Sequence, residues 1–216
     1  MEHYSNTKLR AYLKYNTFLD LKEKGLSRVP DAVTELSEID KLVLEKNKLI
    51  ELPASINKLK NLIVLKLDNN KITELPAEIG DLRELRLLRV SNNQLVGLPT
   101  SIQRLTKLEG LDLDRNKLTE LPAETSDLRE LRLLWVSNNQ LVGLPTSIQR
   151  LTKLEGLYLD GNKLTELPAE ISDLRELRGL SVSPNPLTVD AIRLALKLKK
   201  KGVNVRGVAG KHSGCC

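Results

Sequence analysis

Histidine is missing from the whole stretch between His3 and His212, and cysteine is missing from residues 1–214. A Ser-His-Asp triad, a cysteine nucleophile or a zinc centre in the body of the chain would need residues that are not there. The same absence leaves residues 1–214 without a thiol for a disulfide, and no Asn-x-Ser/Thr sequon occurs. Both point to a reducing, intracellular setting. Aromatic residues make up only 3% of the chain, with one Trp and one Phe, so the core must be aliphatic. No long apolar run suggests a membrane span, and Met1-Glu2-His3-Tyr4-Ser5-Asn6 has neither the basic start nor the apolar stretch of a signal peptide. Acidic residues are absent from 193–216, which hold Arg193, Lys197, Lys199, Lys200, Lys201, Arg206 and Lys211. Setting those seven aside leaves 27 basic and 28 acidic residues in 1–192. The formal charge of +6 thus belongs to the tail, and no positive stripe for nucleic acid is expected on the body.

What is present is a period. Asn47, Asn70, Asn93, Asn116, Asn139, Asn162 and Asn185 stand 23 residues apart, and Pro30, Pro53, Pro76, Pro99, Pro122, Pro145 and Pro168 form a second ladder of the same period. One unit runs Leu62-x-x-Leu65-x-Leu67-x-x-Asn70-x-Ile72-x-x-Leu75-Pro76-x-x-Ile79-x-x-Leu82. Leu-x-Leu alternation marks a short strand with one buried face, and Ile-x-x-Leu after the proline suits a helical turn with an apolar stripe. A single unit cannot bury its face, whereas stacked units join into one leucine core.

The unit resembles the leucine-rich repeat, L-x-x-L-x-L-x-x-N-x-L, over about residues 16 to 199. The resemblance implies an α/β solenoid, a horseshoe with a parallel concave sheet and helical end caps, in which the asparagine bonds main-chain groups inside the turns. It also implies that the residue between the two leucines of Leu-x-Leu points out of the concave face. The 23-residue Leu-Pro-x-x-Ile-x-x-Leu form is similar to the intracellular repeats of Ras-suppressor, plant intracellular Ras-group and Scribble-like proteins, and to many bacterial ones. Secreted members usually close both ends with disulfides, for which residues 1–214 of this chain hold no thiol.

One solenoid domain is expected. Residues 1–15 read as an N-terminal helical cap, with Ser5 and Asn6 as N-caps and Leu9, Tyr12 and Leu13 at helical spacing. Residues 16–187 hold about eight units of 23, the first irregular because Lys24 replaces the asparagine. Residues 188–206 form a capping helix, entered at Thr188 and stopped at Gly202, and an edge strand at Val203-Asn204-Val205. Residues 207–216 read as a flexible tail. Its Cys215-Cys216 end resembles the doubly geranylgeranylated terminus of Rab-type small GTPases and follows a lysine-rich segment. That resemblance implies lipid attachment and peripheral membrane contact; a bare tail is the alternative, since the end is not a Cys-a-a-X box.

Residues 81–126 and 127–172 are copies that differ at four positions: Arg89 against Trp135, Asp112 against Tyr158, Arg115 against Gly161, and Thr125 against Ile171. The outward column reads Asp20, Val43, Lys66, Arg89, Asp112, Trp135, Tyr158, Ser181, so two of the four changes fall on the concave face. Trp135 and Tyr158 on adjacent strands make anchors for a protein partner. Lys66 and Arg89 flank them on one side, with Asp112, Asp114 and Asp160 nearer the middle. This mixed surface suits a protein better than a lipid or a polyanion. Asp68, Asp114 and Asp160 recur two repeats apart, too far to share a calcium ion, and read as solvated turn carboxylates. No catalytic residue, metal or cofactor is assigned. The expected function is a non-enzymatic, cytoplasmic protein-interaction module, an intracellular signalling scaffold. The alternative is a member of a diversified recognition family or an engineered binder, in which near-identical modules carry exchanged face residues.

Overall fold

A computed structural model describes residues 17–208. The cap expected before residue 16 and the Cys215-Cys216 end lie outside them. Nine strands of three residues each follow one another in the chain and in space: β1 Phe18–Asp20, β2 Lys41–Val43, β3 Val64–Lys66, β4 Leu87–Arg89, β5 Gly110–Asp112, β6 Leu133–Trp135, β7 Gly156–Tyr158, β8 Gly179–Ser181 and β9 Asn204–Arg206. Every pairing is parallel, and from β1 to β8 the register advances by 23 residues per strand. Equivalent residues of successive repeats therefore stand side by side across the sheet. The ninth strand, added by Val203–Val205 alternation, carries the outward column one step further, to Arg206.

The middle residue of every strand, from Leu19 through Leu180 to Val205, faces the core and is buried. Behind the sheet, Leu62, Leu65, Leu67, Ile72, Ile79, Leu82 and their equivalents stack into one continuous aliphatic core. At roughly 1.5–3 kcal/mol for each fully buried aliphatic side chain, these stacked columns are the main source of stability. On the far side, five-residue 3-10 turns such as Ala54–Lys58, Ala77–Asp81 and Thr100–Arg104 follow Pro53, Pro76 and Pro99. The proline fixes an extended entry, and its carbonyl accepts from the isoleucine amide three residues on, at 3.0 Å in each of these turns. Five residues before the next chain reversal leave no room for a longer α-helix.

The asparagines stitch the units together. Asn116 is buried, donates to the carbonyls of Val90 at 2.9 Å and Leu113 at 3.0 Å, and accepts from the amide of Leu95 at 3.0 Å. Two of those three partners belong to the preceding repeat, so one side chain closes its own turn and ties it to its neighbour. The pattern repeats from Asn47 to Asn185. At the C-terminal end a helix, Val189–Lys200, covers the last units with Ala191, Ala195 and Leu198. Thr188 caps it by accepting from the Ala191 amide, and Lys197, Lys199 and Lys200 sit in its last turn, where the helix dipole favours cations.

Candidate functional site on the sheet face

All seven residues singled out as partner-binding lie on the open face of the sheet between β3 and β7 or, for Asp114 and Asp160, two residues past the end of a strand. Trp135 pairs with Tyr158 in register, and their rings stack at 5.9 Å between centroids and 9° between planes. Such a pair contributes about 0.5–1.5 kcal/mol beyond its area, and both rings remain half-buried, open to solvent on one side. Two outward positions depart from expectation. Val43 and Ser181 are buried, 5% and 7% exposed, and the Ser181 hydroxyl is turned to Asp160 at 2.6 Å.

The residues two positions earlier, which the pleat also turns outward, complete the site. Here stand Leu87, Gly110, Leu133, Gly156 and Gly179. The glycines are seats for the larger side chains. A Cβ on Gly156 would come within 2.9 Å of both the Tyr158 ring and Leu133, and one on Gly110 would meet Leu87 at 2.8 Å and Trp135 at 3.7 Å. The missed signal was the alternation itself: a face read through one outward residue per strand has a second.

The charged members do not form a free mixed surface. Arg89 lies between two carboxylates, with its Nε 3.2 Å from Asp68 and 3.4 Å from Asp112. Lys66 points toward Glu45 at 3.8 Å. The carboxylates after the strands are not solvated turn groups either. Asp68 is 2% exposed and accepts from the amide and hydroxyl of Ser91. Asp114 accepts from the Ser137 amide at 2.6 Å, and Asp160 from the Ser183 amide at 2.7 Å and the Ser181 hydroxyl at 2.6 Å. Each carboxylate caps the next repeat's turn, a role legible in the alternation Asp68, Ser91, Asp114, Ser137, Asp160, Ser183. Their acceptor capacity is directed at protein donors. Among the described residues no group of three or more His, Cys, Asp or Glu is placed to hold a metal.

Burial raises the Asp112 carboxyl above its ordinary value, and the nearby Asp68 charge adds to this, against the Asp114 amide and Arg89. Asp114 is pushed up to about 6, chiefly by burial and further by Asp112, against the Ser137 amide. Asp68, one step round the same two-repeat cycle, has Arg89 beside it; the equivalent neighbour of Asp114 is Trp135, which brings no charge.

The sequence matches family models described as leucine rich repeat over residues 37–95 and over 130–151 and 153–174. Among solved structures it is similar to a leucine-rich-repeat protein of Leptospira interrogans, 38% identical, with 79% of this chain and 44% of that chain covered and a TM-score of 0.73. It is also similar to the plant peptide hormone receptor RGFR1, solved in complex with RGF2, at 32% identity over 74% of this chain and 27% of that one, TM-score 0.68. An internalin of Listeria monocytogenes shares the fold, at 21% identity over 90% of this chain and 61% of that one, TM-score 0.65. The chain thus spans less than two thirds of the length of each. No curated protein matches its sequence. With 447 chains of solved structure matching, the fold by itself selects no partner.

Proposed function

We propose that this leucine-rich-repeat protein, built on a fold that serves generally as a non-enzymatic protein-interaction module, binds a protein partner on the concave face of its sheet, with Trp135 and Tyr158 as the anchors. The observation that carries the reading is the stacked, half-exposed aromatic pair in a frame otherwise duplicated almost unchanged. Binding energy at protein interfaces concentrates in such aromatic residues. The RGFR1 complex supplies a relative of known liganded state, and the same use of the solenoid is proposed here.

Absence of cysteine from residues 1–214 and the 23-residue Leu-Pro-x-x-Ile unit support an intracellular scaffold of the Ras-suppressor or Scribble-like kind. The four differences between the copies support a second reading, a diversified recognition module or engineered binder, in which the face is exchanged on a constant frame. Affinity capture with the intact chain, compared with Trp135→Ala and Tyr158→Ala, tests the shared claim. Partners retained by the wild type and lost by both variants are expected; equal retention would move the site off this face. Related sequences then separate the two readings, since variation confined to the outward column favours recognition and a uniform column favours a fixed scaffold.

A further inference from the structure

Nearly every cation that projects from the sheet face is occupied. Lys22 and Lys66 approach Glu45, at 3.9 and 3.8 Å; Lys41 lies 4.4 Å over the Phe18 ring; and Arg89 sits between Asp68 and Asp112. Arg206 differs. It occupies the column of Trp135 and Tyr158 on the last strand, is exposed, and its guanidinium has no partner among the described residues. Beside it the face opens into a recess of about 100 Å3 lined by Tyr158, Gly179, Leu180, Ser181, Asn204 and Arg206. The recess exists because Gly179 has no side chain; a Cβ there would lie 3.7 Å from the Tyr158 hydroxyl. The Ser181 hydroxyl is already committed to Asp160. What remains around the opening is the Arg206 fork, the Asn204 side-chain amide and the Tyr158 hydroxyl, a donor-rich rim that adjoins the aromatic stack.

We propose that this recess receives a carboxylate of the partner: an acidic side chain in a peptide segment whose apolar or aromatic residue rests on the Trp135–Tyr158 stack. The claim rests on the concave-face reading above and narrows it to a class of partner. From β7 to β9 is two strand spacings, about 10 Å, which an extended chain crosses in about three residues. The acid should therefore stand two to four positions from the apolar residue. A guanidinium fork holds a carboxylate bidentately and selects it over a neutral amide. A polyanion is disfavoured, since a second phosphate laid across the face would meet Asp160, Asp114 and Asp112.

The test is a random linear peptide library panned on the intact chain, with synthetic versions of the selected peptides measured by calorimetry. Selected peptides should share an apolar or aromatic residue with Asp or Glu two to four positions away. Changing that acid to its amide should weaken binding about tenfold, as expected for a charge-assisted bond. That penalty should vanish in Arg206→Ala, and Arg206→Glu should come to prefer Lys at the same peptide position. An amide penalty unchanged in Arg206→Ala, with binding still lost in Trp135→Ala, overturns the carboxylate subsite and leaves the concave-face reading standing. Peptides indifferent to Arg206 and Trp135 alike overturn both, as does a library that yields no binder.

Discussion

The two copies, 81–126 and 127–172, share a scaffold and differ in how they use it. In the first, β4 and β5 carry Arg89 and Asp112, which pair with each other at 3.4 Å. In the second, β6 and β7 carry Trp135 and Tyr158 in the same two places, and these stack. A pair has been exchanged for a pair. The ion pair satisfies itself and offers a partner little, while the stack leaves an apolar face open. Around them the frame is reproduced down to its surface contacts: Lys107 to Glu84 and Lys153 to Glu130, both at 2.6 Å, and Arg104 to Asp81 at 3.4 Å against Arg150 to Asp127 at 3.2 Å. What holds the solenoid together and what it turns outward are thus carried by different residues of the same three-residue strand.

Under that separation the frame should answer alike in both copies. Leu88→Ala and Leu134→Ala each empty a fully buried site and should each cost about 2–5 kcal/mol of stability. Denaturant unfolding of the two variants would break the comparison if one cost were several times the other. The face should answer unlike. Trp135→Ala is expected to weaken partner binding by about 2 kcal/mol or more, and Arg89→Ala by far less, since the Arg89 charge already serves Asp68 and Asp112. Affinity measured on the captured partner decides this, and equal losses would deny the division of labour.

Thr125 is the one core difference between the copies. It is 1% exposed, and its hydroxyl has no hydrogen-bond partner, whereas Ile171 fills the equivalent site with carbon. Thr125→Ile should therefore raise stability by about 1–2 kcal/mol, combining an unsatisfied hydroxyl removed with added apolar burial. A melting temperature that stays put or falls would show that the first copy has adapted its packing to the threonine. The smallest effect concerns pH. Because burial raises Asp114 to about 6 from an ordinary 3.8, its contribution to stability is complete below about pH 4 and is lost as pH rises through about 6. Asp114→Asn keeps an acceptor for the Ser137 amide and should flatten the stability difference between pH 4.5 and 7.5. Trp135→Arg, which restores to Asp114 the kind of neighbour that Asp68 has, should pull the carboxyl down and do the same. Melts of both variants parallel to the wild type at the two pH values would remove the carboxylate from the account.

The solenoid was legible because periodic order is redundant: seven asparagines and seven prolines repeat one instruction, and the alternation of Leu65 and Leu67 gives the strand its inner face. The side-chain pairings on the outer face were not. Whether Arg89 would reach solvent or turn to Asp68 depends on a neighbour 21 residues away in sequence and one strand away in space, and on burial that only the stacked units create. The glycines at 110 and 156 carry no signal in the leucine pattern, and their role as seats depends on where the Leu87, Leu133 and Tyr158 side chains lie. Arg206 read as part of a basic tail until β9 brought it into the aromatic column.

Among the described residues each repeat makes its main contacts with the repeats before and after it, through neighbouring strands, neighbouring turns and one asparagine. In mechanical terms the molecule is a zipper rather than a knot. Pulled from its two ends, it should yield from an end inward, each 23-residue unit releasing about 80 Å of chain at full extension, and the record of force against length should be a staircase of near-equal steps.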